Sequence, residues 1–369
     1  MRVVLIVMLL LVSAYAAVAT DVVVVNSRDW RDVTLGTVYA IQHEANIVSF
    51  TNLGDAQIKT QTIRPNSTIV VFESSRPIVR NYASVLRTNG FTDFTVHESG
   101  TFRDFQRDHF TDRYEALVLL DPKFGAEAIS ILPLAGHAPM RPFFLDEESR
   151  DDVERAARSA ERIIIAGRFP VRLVEGIDAE ERYEQLSPTN ADDITRMVSE
   201  RFNAEWGVIM RVDRVDYESL LKRQPVVVYS GMLADTIATV RDINVNRFEI
   251  VSADAANLGQ QIRSGAGRDI ALMLKYGRTI TNLPGMTGQI LDLETFFVDY
   301  PSADLVIESV VRYTDANVLL VTYRNRGNID TLAFTNIDHV QNRLFRSDVA
   351  LLHADLQQTL PPTIQLHRS

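Results

Sequence analysis

The chain has 369 residues, 46% of them hydrophobic and 23% charged, a profile of ordinary folded protein in roughly two to four domains rather than of disorder or a low-complexity array. Its formal net charge of −10 argues against a nucleic-acid binder, which needs a basic surface. It contains no cysteine, so disulfides, thiolate catalysis, Cys-based zinc sites and a lipoprotein anchor are excluded.

Met1-Arg2 is a short positive start, Val3 to Val12 is an unbroken apolar run, and Ser13 to Ala19 are mostly small. This is the layout of a secretory signal peptide, with cleavage expected after Ala19 and a mature chain from Thr20. The apolar core is short for a bilayer, which takes about 20 residues to span. No later stretch is long and apolar enough to re-enter a membrane, so no membrane-spanning segment is expected after cleavage. An exported protein, extracellular or held at the cell surface, is the expectation. Asn66-Ser67-Thr68 is the one N-x-S/T sequon and makes Asn66 the glycosylation candidate.

Short apolar runs then alternate with helical patterns, which predicts βαβ units and parallel sheets. Strands are expected from Val22 to Val25, Asn46 to Phe50 and Thr68 to Phe72. Helices are expected over Asp32 to Ala45 and Pro77 to Asn89. The pattern restarts at Ala116 to Leu120, with followers at Pro139 to Leu145 and Glu161 to Ile165, and helices over Ala126 to Gly136, Asp151 to Ala160 and Ala191 to Phe202. It restarts again at Trp206 to Met210, followed by Pro225 to Tyr229 and Arg247 to Val251, with helices over Val215 to Lys222, Ala234 to Ile243 and Ala255 to Arg263. Within each copy the second and third strands begin 24 and 46, 23 and 45, and 19 and 41 residues after the first, and the three starts lie 94 and 90 residues apart. That is a threefold internal repeat.

The last 80 or so residues change character. Thr287 to Phe297, Leu305 to Tyr313, Val318 to Tyr323 and Thr331 to Ile337 read as apolar or alternating strands, with a turn signal at Arg326-Gly327-Asn328. They predict a small antiparallel β-sandwich. The expected organisation is a signal peptide (1–19), three Rossmann-like α/β repeat modules (20–112, 113–196, 197–286), the β-sandwich (287–356) and a polar tail or linker (357–369).

Several short motifs in the repeats resemble the cell-wall-binding repeats (type 2) of clostridial surface-layer proteins, also seen in some archaeal surface proteins. Leu132-Pro133-Leu134-Ala135-Gly136-His137-Ala138-Pro139 looks like that family's helix running into an Ala-Pro strand. Arg162-Ile163-Ile164-Ile165-Ala166-Gly167 looks like its strand ending in Gly-Gly, with Ala for the first Gly. Arg182-Tyr183-Glu184 and Arg113-Tyr114-Glu115 match part of its Arg-Tyr-Glu-Thr signature, without the Thr. The resemblance covers about Asp21 to Gly277 and is weakest in the third copy. It implies three tandem copies packed as a pseudo-threefold unit that holds its host protein to an anionic wall polymer. The tail likewise looks like the Ig-like, adhesion-related domains of surface proteins.

Motifs for chemistry are sparse. There is no Gly in Asn26-Ser27-Arg28-Asp29-Trp30 after the first strand, and Ser264-Gly265-Ala266-Gly267-Arg268 lacks the third glycine of a dinucleotide loop, so no cofactor is expected. His97 and His109, with Asp104 and Asp108 between them, read as surface residues of a loop rather than a metal site. Asp121 and Asp213 lie just past first strands, where α/β proteins bind ligands; they read as solvated loop acids rather than catalytic ones. Trp30 and Trp206 read as partly buried core.

One match between copies carries a binding expectation. Arg76-Pro77-Ile78-Val79-Arg80 and Arg168-Phe169-Pro170-Val171-Arg172 follow the third strands of copies one and two. Helix amino ends bind anions, and Arg adds forked oxyanion contacts. Only 4 of the 38 cationic residues are Lys, so Arg supplies nearly all of this chain's positive charge, although genome base composition accounts for such a skew. Arg76, Arg80, Arg168 and Arg172 are thus candidate ligands for a phosphorylated or carboxylated glycan. The expectation is a non-catalytic surface protein whose partner is an anionic envelope polymer or a surface-layer protein. An exported glycan-active enzyme and an exported small-ligand receptor are the alternatives.

Overall fold

The computed structural model describes residues 20–110, 113–175, 177, 191–212, 214–229, 231–275, 278–283, 286–292, 299, 304–313, 318–338, 344–352 and 363–365. The expected leader (1–19), Arg182-Tyr183-Glu184 and Asp213 lie outside these residues. The chain divides into two compact units, Met1–Asp299 and Tyr300–Ser369.

The first unit holds three parallel sheets of one topology. Copy one is built from β1 (Val22–Asn26), β2 (Asn46–Ser49), β3 (Ile69–Ser74) and β4 (Phe94–Ser99), in the order β2-β1-β3-β4. Copy two sets β5 (Ala116–Leu120), β6 (Met140–Phe144) and β7 (Arg162–Ala166) in the order β6-β5-β7. Copy three sets β8 (Trp206–Arg211), β9 (Val226–Tyr229), β10 (Arg247–Val251) and β11 (Ala271–Lys275) in the order β9-β8-β10-β11. In every copy the first strand is central, the second lies on one side and the third on the other. The repeat spacing maps onto register to within one residue: Val22 pairs Asn46 and Ile69, while Ala116 pairs Met140 and Arg162. Central strands buried on both faces are continuous apolar runs, as β1 and β5 are.

The helix after each first strand is the structural centre. α1 (Trp30–Gln42) is buried over Asp32–Val38 and at Trp30, Ala40 and Ile41. It carries no charge between Asp32 and Glu44, the mark of a helix surrounded by protein rather than one with a solvent face. Its counterpart in copy two, α5 (Ala126–Ile131) running into a 3-10 turn (Leu132–Gly136), is buried from Ala126 to Ala135. In copy three α9 (Tyr217–Leu220) buries Tyr217 completely. These elements tie the copies together. The Tyr217 hydroxyl bonds Thr34 Oγ1 at 3.2 Å and donates to Trp30 O at 3.3 Å. Gln42 donates to Met140 O at 2.6 Å, and Ser130 to Val226 O at 3.5 Å. Arg223, at φ +58°, reaches both Ile41 O (3.1 Å) and Gly136 O (3.4 Å). Its guanidinium therefore caps the carboxyl ends of two central helical segments, where cations are favoured. Gly136 is required there, because a Cβ would overlap the Arg223 stem.

Each copy also has its own core, gathered for instance around Phe50 and Tyr82, Phe143 and Leu117, and Phe248 and Ile209. The remaining helices of the first unit are α2 (Leu53–Thr62), α3 (Tyr82–Thr88), α4 (Phe102–Asp108), α6 (Arg150–Ala157), α7 (Val171–Val174), α8 (Ala191–Phe202), α10 (Leu233–Asp242) and α11 (Ala255–Ala266). The sequence reading passes over α2, β4 and α4. α2 buries only Ala56 and Thr60 and β4 is a half-exposed edge strand, so neither has a strong apolar period. The stretch expected to be a loop with surface histidines is β4 plus α4. His97 and His109 are half-buried there, with ring centroids 4.8 Å apart and both rings against Phe72. α3 starts at Tyr82 rather than Pro77, because Asn26 clamps the approach. Its amide donates to Val79 O at 2.7 Å and its carbonyl accepts from Val79 N at 3.0 Å.

β12 (Arg278–Leu283) pairs antiparallel with β13 (Met286–Asp292). The residues expected to open the β domain thus form a ribbon of their own before Asp299. In the second unit β14 (Leu305–Tyr313), β15 (Val318–Asn325) and β18 (Thr363–Gln365) form one antiparallel sheet, and β16 (Thr331–Asp338) and β17 (Leu344–Leu352) pair antiparallel. β18 comes from the stretch read as a polar tail.

Candidate functional site

In open α/β sheets ligands bind beyond the strands' carboxyl ends, where successive connections leave to opposite sides. In copy one that point lies between β1 and β3. An open cleft of about 510 Å³ is found there, lined by Ser27–Asp32, Ser74–Arg76, Gly100–Arg103 and Asp299.

Its side chains fall into three groups. Arg31 and Arg103 are committed. Arg31 makes a fork to Asp29 (Nε–Oδ1 and Nη2–Oδ2, both 2.8 Å) and reaches Pro122 O at 3.2 Å. Arg103 forks onto Asp146 of copy two (Nε–Oδ2 3.0 Å). The two guanidinium carbons stack 4.4 and 4.8 Å from the centre of the Phe102 ring. Arg28 and Arg76 are exposed and form no ion pair among the described residues. Asp32 forms the third group. It is 4% exposed, its Oδ2 accepts from Ser27 Oγ at 2.5 Å, and its Oδ1 has no hydrogen-bond partner. Burial pushes its carboxyl up to about 7, with Asp29 and Asp104 adding to the rise and the Ser27 hydroxyl and Arg31 opposing it.

Of the four arginines singled out in the sequence, this cleft takes only Arg76. Arg80 is exposed in the turn ahead of α3, where Asn81 is left-handed and offers no side-chain cap. Arg168 is exposed beyond β7, and its backbone N–H holds Asp121. Arg172 lies on the single-turn α7 and pairs with Glu147 at 3.1 Å. Neither loop presents the long helix amino end that its Pro and Arg spacing suggested. Asn66 is exposed in the left-handed turn (φ +65°) between α2 and β3.

Asp121 is not a solvated loop acid. Its Oδ1 accepts from Lys123 N at 2.8 Å, and Phe124 and Arg168 N–H groups add to it. Burial raises its carboxyl and these donors partly offset the rise. Gly167, at φ +145°, lies where a Cβ would press on Asp121. This accounts for the glycine ending the third strand of copy two. Nearby Glu127 is likewise buried, its carboxyl raised by burial and Oε2 unpartnered. Trp30 is buried at 6% exposure, and Trp206 is half-buried beneath Arg247. Among the described residues no group of three or more His, Asp or Glu is arranged to hold a metal ion, and no helix is long and apolar enough to cross a membrane.

Asp32 and Arg28 carried no motif. A signal was present: Asp32 is the last charged residue before Glu44, at the start of a helix whose remaining residues are uncharged.

No protein-family model and no curated sequence matches this chain. Solved structures do resemble it. "Cwp8 from Clostridium difficile" aligns with a TM-score of 0.51 at 13% identity, over 67% of this chain and 47% of that one. "Cwp6 from Clostridium difficile" aligns with a TM-score of 0.47 at 10% identity, over 63% of this chain and 41% of that one. The chain thus spans less than half the length of either neighbour. At this identity the likeness to Cwp8 is one of fold alone.

Proposed function

We propose that this protein is a non-catalytic cell-surface protein whose three α/β modules attach it to an anionic envelope polymer. The observation that carries the reading is the arrangement of the modules. Three copies of one sheet order close around shared central helices, in a fold like that of Cwp8. A repeated module suits a repeated ligand, because several weak sites on one body bind a polymer far more tightly than any site alone. The leader-like first 19 residues fit export. The second unit serves as spacer or adhesive element.

The chain's own charge is negative, so an anionic polymer must be held locally by arginine. The candidates are Arg76 and Arg80 in copy one and Arg168 and Arg172 in copy two. Co-sedimentation of residues 20–369 with purified envelopes tests the assignment. Changing all four arginines to Ala is expected to lower the affinity at least tenfold while leaving the melting temperature within a few degrees. Unchanged affinity would move the attachment surface elsewhere. Absence of saturable binding by the unaltered chain would remove the reading.

A further inference from the structure

The floor of the copy-one cleft holds a group that internal structure does not use. Asp32 Oδ1 is buried and unpartnered, on a residue that lines the cleft. A buried oxygen that nothing bonds is costly to the fold. On the rim Arg28 and Arg76 are uncommitted, whereas Arg31 and Arg103 are neutralised by Asp29 and Asp146. Ser74, Ser75 and Thr101 add hydroxyls along the wall.

We propose that this cleft binds one acidic sugar unit, with its carboxylate or phosphate gripped by Arg28 and Arg76 and a neighbouring hydroxyl bonded to Asp32. The assignment rests on the surface-attachment reading only for the source of the sugar, a unit of the envelope polymer. A forked guanidinium matches a planar carboxylate or a phosphate face. A carboxyl that is neutral at the floor donates to a sugar oxygen and does not repel the acid group above it. Once ionised, Asp32 repels the acid group of the ligand. The charged groups around it are Arg28, Asp29 and Arg31 at its own end of α1, Arg76 beyond β3, Arg103 and Asp104 on α4, and Asp299. With a carboxyl titrating at about 7, binding takes up a proton and weakens as the pH rises through neutrality.

Trp30 lines the cleft and gives the readout. In a Trp206→Phe background it is the only tryptophan. Its emission is followed on adding D-glucuronate, α-D-glucose 1-phosphate, D-glucose or inorganic phosphate to residues 20–369, at pH 6 and pH 8. Thermal melts on every variant confirm folding. Both acidic sugars are expected to saturate the signal at pH 6, and D-glucose to bind at least tenfold more weakly. Arg28→Ala with Arg76→Ala lowers affinity for the acids at least tenfold. For D-glucuronate, whose carboxylate is ionised throughout this range, affinity falls about tenfold from pH 6 to pH 8 for one linked proton, and Asp32→Asn removes that pH dependence while keeping binding at pH 6. No saturable response to either acidic sugar overturns the proposal. So does inorganic phosphate binding as tightly as glucose 1-phosphate, or acid binding indifferent to both arginines. Envelope co-sedimentation run in parallel separates the two readings. Probes that fail while envelopes still bind remove the cleft alone, and the opposite outcome removes the attachment alone.

Discussion

At the scale of single residues, buried titratable groups decide how this fold responds to pH. His97 and His109 face each other against Phe72 and Phe105, and His109 Nε2 lies 3.3 Å from Ser99 Oγ. Burial holds both rings below the ordinary value of 6.5, with His97 adding to the effect on His109 and Asp108 opposing it. The folded state therefore keeps both neutral where the unfolded chain begins to bind protons. Their contribution is full above pH 6.5 and is lost as the pH falls below it. Melting temperature is expected to drop between pH 7.5 and pH 5, and less so in His97→Phe with His109→Phe. An equal drop in that variant would place the acid sensitivity elsewhere. The histidines were visible in the sequence, but their burial was not, since it depends on an edge strand and a short helix with weak patterning.

At the scale of elements, the buried side chain of Asn26 decides where α3 begins. Asn26 makes two hydrogen bonds to the backbone of Val79 and a third, of 3.0 Å, to Glu73. It thereby holds the segment from Pro77 to Arg80 out of the helix. Asn26→Ala leaves the Val79 groups unpaired in a buried site, at a cost of about 2–3 kcal/mol for two lost bonds. Urea unfolding is expected to show that loss. A change under about 0.5 kcal/mol would mean that the loop holds its shape without the clamp. The Pro and Arg spacing suggested a helix start at Pro77. A local motif cannot report a partner 53 residues away. The central strands were legible for the opposite reason. β1, β5 and β8 are buried on both faces, and their continuous apolar runs recur within one residue of the spacing of the paired registers. α8 was placed to the residue, its Asp192 and Asp193 opening the first turn.

At the scale of the whole molecule, the three copies meet around central helices rather than lying as beads on a string. Arg223 is the clearest joint, since one guanidinium from copy three caps carbonyls of copies one and two. Arg223→Ala is expected to destabilise the first unit by about 1–3 kcal/mol, because it removes charged hydrogen bonds. Arg223→Gly loses the same bonds but relieves the left-handed backbone, which favours it over Ala by up to about 1 kcal/mol. If both variants unfold like the parent, the joint contributes nothing to cohesion. The threefold count was readable from spacing alone, whereas the joint, the cleft and the buried Asp32 were not. Each depends on side chains from separate copies or strands converging in space.

The attachment reading is tested most directly by binding of residues 20–369 to two envelope preparations, one intact and one chemically stripped of its anionic polymer, across a salt series. Screening weakens contacts between exposed charges as salt rises. Saturable binding to intact envelopes that falls with salt and disappears on stripped ones is the expected result. Equal binding to both preparations, or binding indifferent to salt, would contradict attachment through an anionic polymer.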